Sequence, residues 1–412
     1  MFKNRLFVPL MFAYAFCAIA PASQADVILG IDRLFDHPPH LALIEGKNVA
    51  VVGNHTSVDS EGVHLLDRLS AHATVVAAFG PEHGFEGAQS AGDKVNTQMG
   101  DGFPIYSLYG EFRTPSPEML EDVDVLIYDI QDVGVKFYTY ISSLFLSMTA
   151  AKREGIPIIV LDRPNPVGAV RVEGEITNPA YLSFVGVIPL PIRYGMTVGE
   201  LARLFNGESF AGFALNTDLT VVRMRSYERD MPFEETGVAW IAPSPNMPSV
   251  ETALIYPGTC LFEGTNLSEG RGTEAPFLTL GAPFIIAQDW LDAIPAEVQN
   301  GVTLHPIEFT PVSMPGKSEN PKHQDERCQG IRIEITDPEA MQPIPLAVAM
   351  LCAAQDLYPE QISYRKFMDL LWGNENLRSM LQSGADYKQI LATTNDGVEQ
   401  FETVREQYLL YN

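Results

Sequence analysis

The chain has 412 residues, 46% of them apolar and 19% charged, too apolar for disorder and long enough to bury a sizeable core in two or three domain-sized units. Its 52 acidic against 27 basic side chains give a formal charge of -25. With Lys and Arg scattered rather than clustered, that balance excludes a nucleic-acid or polyphosphate binder, while a small ligand in a local pocket stays allowed.

The first 25 residues read as an export signal. Lys3 and Arg5 make a basic start, Leu6 to Ala20 is an apolar stretch of h-region length, and Ser23-Gln24-Ala25 is a small-x-small cleavage site. Pro9 interrupts the stretch, which is short for a membrane span. Cys17 lacks the Leu and small residues that a lipoprotein signal places before it. Cleavage would remove Lys3 and Arg5 and no acid, taking the formal charge from -25 to -27. The mature chain is expected to be exported without stable membrane insertion, to the periplasm of a Gram-negative cell or otherwise to the medium.

From about residue 47 to 225, short β-branched runs alternate with helical patterns, the signature of βαβ units and a parallel sheet. The runs Val49 to Gly53, Thr74 to Phe79, Val123 to Ile130, Ile156 to Leu161 and Leu219 to Met224 predict its strands. Phe137, Ile141, Leu144, Met148 and Ala151 recur at helical spacing, and Gly155 stops that helix. Thr197 and Glu200 predict a capping box for a second helix with Leu201, Leu204 and Phe205 as its buried stripe and Gly207 as its C′ residue.

The stretch from 240 to 282 carries Pro243, Pro245, Pro248, Pro257, Gly258, Gly264, Gly270 and Gly272, which predict a long loop without regular elements. Beyond it, Ile331, Ile333 and Ile335 alternate as in a half-exposed strand, and Leu346 to Leu357 and Gly397 to Leu410 read as helical. The expected fold is α/β. A Rossmann-like parallel-sheet domain without a nucleotide motif spans residues 26 to 285, and a smaller α+β domain spans 286 to 412. Three cysteines would remain in the mature chain, Cys260, Cys328 and Cys352. Their spacing is neither a disulfide scaffold nor a zinc pattern. One bridge, such as Cys260 with Cys328, and three buried free thiols both stay open.

The chemistry concentrates after the strands. The first runs into Asn54-His55-Thr56, the second into Gly80-Pro81-Glu82-His83-Gly84, the third into Asp129-Ile130-Gln131-Asp132, and the fourth into Asp162-Arg163-Pro164-Asn165-Pro166. In an open parallel sheet these loops share the edge where such folds bind ligands, so the four clusters are expected to meet in one cleft. Neither GxGxxG, a P-loop Lys nor a GxSxG elbow is present, and Ser57 and Ser107 lack a convincing His and Asp order. His55 and His83 with Asp129 or Asp162 offer a metal-dependent hydrolase or amidase as one alternative, without local ligand spacing to support it. Two lobes around a polar cleft would also suit a periplasmic sugar- or muropeptide-binding protein.

Carboxylates are the best catalytic candidates. Glu82 follows an apolar strand in a glycine-bounded turn, where partial burial would keep it protonated as a general acid. Glu263-Gly264-Thr265-Asn266-Leu267-Ser268-Glu269-Gly270-Arg271-Gly272 forms a second constellation. There glycines allow close backbone approach, and Asn266, Glu269 and Arg271 supply directional hydrogen bonds. Tyr138 and Tyr140, at a helix start, are candidates to stack on a sugar face, with one of them serving the core.

These stretches, together with Tyr106-Ser107-Leu108-Tyr109-Gly110, Pro243-Ser244-Pro245-Asn246-Met247-Pro248 and Tyr256 to Gly272, resemble the exo-β-N-acetylmuramidase family, long catalogued as a domain of unknown function. The resemblance covers almost the whole mature chain in order. Two positions depart from the pattern: Ser57 and Gln329 stand where Gly is expected. The resemblance implies an exported glycosidase that removes β-1,4-linked N-acetylmuramic acid from non-reducing ends of peptidoglycan fragments. It implies a Rossmann-like domain without a nucleotide, with a cleft between it and a smaller C-terminal domain, and places the catalytic acid at Glu82; the reaction is expected to need no cofactor and no metal. Glycoside hydrolysis also needs a base, a nucleophile or a group that orients the N-acetyl of the substrate. Asp129, Glu263 and Glu269 all remain open for that role. Asn54, His55, His83, Gln131, Tyr138, Asp162, Asn165 and Asn266 are the candidate substrate contacts, and Arg163 or Arg271 the candidate cation for the lactyl carboxylate.

Overall fold

The computed structural model describes residues 26–87, 89, 97–100, 102–207 and 214–412. The expected export signal lies outside the described residues. Seven strands form the main sheet: β1 (Asn48–Gly53), β2 (Thr74–Gly80), β3 (Gln98–Met99), β4 (Pro104–Ser107), β5 (Val125–Asp129), β6 (Ile158–Leu161) and β7 (Leu219–Val222). Their order is β3-β4-β2-β1-β5-β6-β7. Every pair is parallel except the short β3, which runs antiparallel to β4. Without β3 this is the doubly wound order of Rossmann-like folds, with the reversal of direction between β1 and β5.

Burial on both faces explains why the strands read as unbroken apolar runs. Ala50, Val52, Leu126, Tyr128, Ile158 and Val160 point into the larger core with Ile141, Leu144, Met148, Leu201 and Leu204 from the helices Tyr140–Glu154 and Val198–Gly207. Val49, Val51, Val125, Ile127, Ile159 and Leu161 point the other way, onto Ile31 and Leu34 of the helix Gly30–Asp36. The first of the two larger helices ends at Gly155 in the left-handed region (φ 69°). The second starts with the expected box: Thr197 N donates to Glu200 at 3.0 Å, and Glu200 N donates to Thr197 Oγ1 at 3.3 Å. Gly207, expected just past the helix, is its last residue; a Cβ there would meet the Tyr408 ring at 2.8 Å, so close packing rather than a turn calls for glycine.

A smaller antiparallel sheet, β8 (Thr279–Ala282), β9 (Val302–Phe309) and β10 (Cys328–Ile335), has the order β8-β10-β9. The helix Pro343–Leu357 shares its core. The 240–282 stretch is not the element-free loop its composition predicts. It contains the helix Val250–Thr259, with Pro257 inside it, and also β8. Ser249 caps that helix by accepting from Thr252 N at 3.3 Å. A Cβ at Gly258 would lie 1.9 Å from Pro343 O, so tertiary packing overrides the breakers there. Cys260, Cys328 and Cys352 are free and buried, so no Cys260–Cys328 bridge forms. No helix of the described residues is long and apolar enough to cross a membrane.

The last residues return to the first sheet. Leu410 N donates to Glu200 at 2.7 Å, and Tyr411 Oη accepts from Met224 N at 2.8 Å and donates to Asp162 at 2.6 Å.

Candidate active site

A cavity of about 650 Å³ opens between the carboxyl edge of β2 and β4, the segment that follows β5, and loops of the smaller domain. Glu82 and His83 enter it directly after β2. The chain must double back there: a Cβ on Gly80 would lie 2.6 Å from Phe85 N, and His83 (φ 71°) and Gly84 (φ 78°) are both left-handed. A buried histidine in that conformation stores strain of the kind found at functional sites. The His83 ring bonds Gln89 O through Nδ1 at 2.7 Å. Burial lowers its pKa and prevails over the neighbouring Glu82, so the ring is neutral near pH 7.

Glu82 is half-buried, and its carboxylate accepts from Thr139 Oγ1 at 2.7 Å. Thr139 stands between Tyr138 and Tyr140, which meet edge to face at 4.8 Å. Tyr140 Oη donates to Pro243 O, and Tyr128 Oη donates to Tyr140 O at 3.0 Å. Burial raises the pKa of the Tyr138 and Tyr140 hydroxyls, so both stay protonated. Tyr256 packs edge to face on Phe137, Tyr138 and Phe277, giving the cavity an aromatic wall.

Beside this aromatic wall, Glu263 and Arg271 also line the cavity. Arg271 donates to Glu263 Oε1 from Nη2 at 2.6 Å and from Nε at 3.1 Å, and lies 5.2 Å from the Phe277 ring centroid. Behind it, buried Glu269 bridges Arg271 (3.5 Å) and Lys322 (2.9 Å). Burial pushes the Glu269 pKa up, but the two cations together bring it below the usual value.

Of the sequence candidates, Glu82, His83, Tyr138, Tyr140, Glu263 and Arg271 line the cavity. The others are engaged elsewhere, and the four strand-end loops do not all meet in one cleft. Asp129 accepts from Arg163 Nε at 2.5 Å and from Nη2 at 2.8 Å, both residues being buried, so neither carboxylate nor cation faces the cavity. Asn54 closes its own turn on Thr56 N at 2.9 Å. Gln131 donates to Pro164 O at 2.9 Å, and Asn165 donates to Met196 O at 2.8 Å. Asp162 receives Gly199 N at 2.7 Å and Thr197 Oγ1 at 2.8 Å at the start of a helix, and burial pushes its pKa up to about 7. Asn266 ties Gln361 O and Ser363 N together at 2.9 and 2.8 Å. His55 bonds Ala242 O through Nε2 at 2.8 Å.

In the metal alternative the carboxylates are taken up, Asp129 by Arg163 and Asp162 by Thr197, Gly199 and Tyr411, so neither joins His55 and His83. Among the described residues no cluster of three or more His, Cys, Asp or Glu is spaced to bind a metal. Ser57 accepts from Asn54 N at 3.0 Å and donates to Asp129 O at 2.5 Å, joining the ends of β1 and β5. Gln329 accepts from Ala287 N at 3.2 Å, away from the cavity. The candidate roles passed over Thr139, Ser244, Asn246, Arg113 and Lys317, which also line the cavity. Thr139 sits between two singled-out tyrosines and Ser244 and Asn246 lie in a quoted motif, whereas no motif marks Arg113 or Lys317.

Residues 49–251 match the model of the N-terminal domain of the exo-β-N-acetylmuramidase NamZ, and residues 254–411 match that of its C-terminal domain. The chain is 40% identical over 396 residues to the peptidoglycan β-N-acetylmuramidase NamZ of Bacillus subtilis, covering 95% of this chain and 92% of the relative. Two solved DUF1343 family proteins of Bacteroides fragilis superpose with TM-scores of 0.84 and 0.75 at 31% and 33% identity, covering 95% and 94% of this chain and 100% and 99% of theirs. The chain thus belongs to the exo-β-N-acetylmuramidase NamZ family and is a glycoside hydrolase.

Proposed function

We propose that the enzyme releases β-1,4-linked N-acetylmuramic acid from the non-reducing ends of peptidoglycan fragments, with Glu82 as general acid. The observation that carries this reading is the Glu82 carboxyl at the cavity wall, positioned by Thr139 Oγ1 at 2.7 Å, in the same cavity that the Glu263–Arg271 pair lines. In the step, Glu82 gives its proton to the glycosidic oxygen as the bond to the anomeric carbon breaks. The electron pair leaves with that oxygen, and water adds to the anomeric carbon; its proton returns to Glu82 where Glu263 only orients the acetamido group, or passes to Glu263 where that residue is the base, solvent then reprotonating Glu82.

Of the three carboxylates open for the second role, Glu263 faces the cavity, while Glu269 is paired behind Arg271 and Asp129 is paired with Arg163. Glu263 therefore serves as base toward water or orients the acetamido group of the sugar. The aromatic wall of Tyr138, Tyr256 and Phe277 supplies the apolar face on which a pyranose ring packs.

Incubation with a chromogenic β-N-acetylmuraminide and with the matching β-N-acetylglucosaminide, each with and without EDTA, tests the reaction. Release from the muraminide alone, undiminished by EDTA, is the expected result; release from neither substrate overturns the reading. Proton NMR of the first-formed anomer separates retention from inversion. We also propose export with cleavage after Ala25, which mass spectrometry of the mature N-terminus from a periplasmic or culture fraction checks.

A further inference from the structure

This inference rests on the muramidase reading. N-acetylmuramic acid differs from N-acetylglucosamine by a lactyl ether that ends in a carboxylate, so an enzyme specific for it needs a cation whose charge is not already neutralised. The two arginines expected to supply it are engaged. Arg163 is buried against Asp129, and Arg271 is shared by Glu263 and Glu269.

Two further cations line the cavity, Arg113 and Lys317. Both side chains are exposed, and neither takes part in a salt bridge among the described residues. Arg113 follows β4, with its guanidinium 4.5 Å from the centroid of the Phe184 ring, which also lines the cavity. Packing over the ring holds the guanidinium, whose planar fork of N–H donors suits a bidentate carboxylate acceptor. Lys317 comes from the connection between β9 and β10. Its turn is closed by Ser318 N donating to Met314 O at 2.8 Å, and Asn246 Nδ2 holds its carbonyl at 2.7 Å. One main-chain bond and one from the Asn246 side chain thus fix the backbone from which this second charge reaches the cavity.

We infer that Arg113, stacked on Phe184, binds the lactyl carboxylate of the substrate, and that Lys317 adds a second positive charge to the same subsite. The pair would select a sugar acid over its neutral counterpart in a protein of strongly negative overall charge.

The test compares two chromogenic β-N-acetylmuraminides, one with the free lactyl carboxylate and one with that group converted to its primary amide. Calorimetric binding of free N-acetylmuramic acid is measured alongside. For Arg113→Gln, KM for the acid is expected to rise about tenfold or more, with kcat and the amide substrate nearly unchanged. Arg113→Lys should recover part of the loss, and the double variant with Lys317→Gln should abolish the preference for the acid. An unchanged acid-to-amide ratio in the double variant overturns the inference. Wild-type enzyme that cleaves neither glycoside overturns the muramidase reading instead. In that case the calorimetric arm still decides this one, because binding of N-acetylmuramic acid that is insensitive to both substitutions refutes it without turnover.

Discussion

Thr139 Oγ1 donates to the Glu82 carboxylate across 2.7 Å, joining the loop after β2 to the residue that leads into the helix Tyr140–Glu154. Two segments separated by 57 residues thereby set the position of one carboxyl group. General acid catalysis depends on that position as much as on proton affinity.

Glu82→Gln is therefore expected to lower kcat by about a hundredfold or more, as for loss of a general acid. Its thermal midpoint should stay within a few degrees of wild type, since the side chain is half-buried and near isosteric. Thr139→Val should cost roughly tenfold or less in kcat with little change in KM, and Thr139→Ser should restore the rate. Steady-state kinetics beside a thermal melt check both; full activity of Glu82→Gln removes it as the acid.

The Asp129–Arg163 pair is expected to act on stability. Both side chains are buried and doubly bonded to each other, so removing one partner strands the other charge. Arg163→Met should cost about 3–5 kcal/mol, and a double replacement with Asp129→Leu should recover much of it. Urea denaturation of the wild type and the two variants measures the effect. A stable but inactive Arg163→Met enzyme would instead place this residue in the reaction.

Tyr411 ties the chain terminus to β6 and β7 through Asp162 and Met224. Tyr411→Phe leaves a buried amide and a carboxylate each short of a partner and should cost about 1–3 kcal/mol. Deleting residues 409–412 should cost more, because Glu200 also loses Leu410 N. Chemical denaturation resolves both, and an unchanged midpoint for the deletion would show that the terminus does not hold the fold.

Lys136 is fully buried, donating to Glu175 O at 2.9 Å and to Trp372 O at 2.6 Å. Burial brings its pKa down to about 7. Between pH 7 and the unfolded value near 10.4, the unfolded chain therefore binds the extra proton, so this residue makes the fold more stable as pH rises through that window. Stability of the wild type relative to Lys136→Met should increase from pH 7 to pH 10. Parallel pH profiles of the two proteins would refute it.

Much of this architecture is legible in the residues. β-branched runs separated by helical periods predict a parallel sheet, and Thr197 with Glu200 marks a helix start because the capping bonds are local. β4 escapes notice because Pro104-Ile105-Tyr106-Ser107 is short, and its strand character comes from pairing with β2. The helix Val250–Thr259 escapes because Pro257 and Gly258 argue against it, and only contact with the start of the helix Pro343–Leu357 outweighs them.

By itself the sequence determined the fold class, the family and the candidate acid, since these rest on periodicity and on motifs whose residues lie close together. Only the tertiary structure decided which polar residues face the cavity. Asp129, Arg163, Asp162 and Gln131 read as chemistry because they are polar residues at strand ends, yet each is satisfied by a partner more than 30 positions away. Buried polar groups must be paired, and pairing at that range is set by how strands and loops pack. The same physics leaves Arg113 and Lys317, which no motif marks, as the cavity cations outside any ion pair among the described residues.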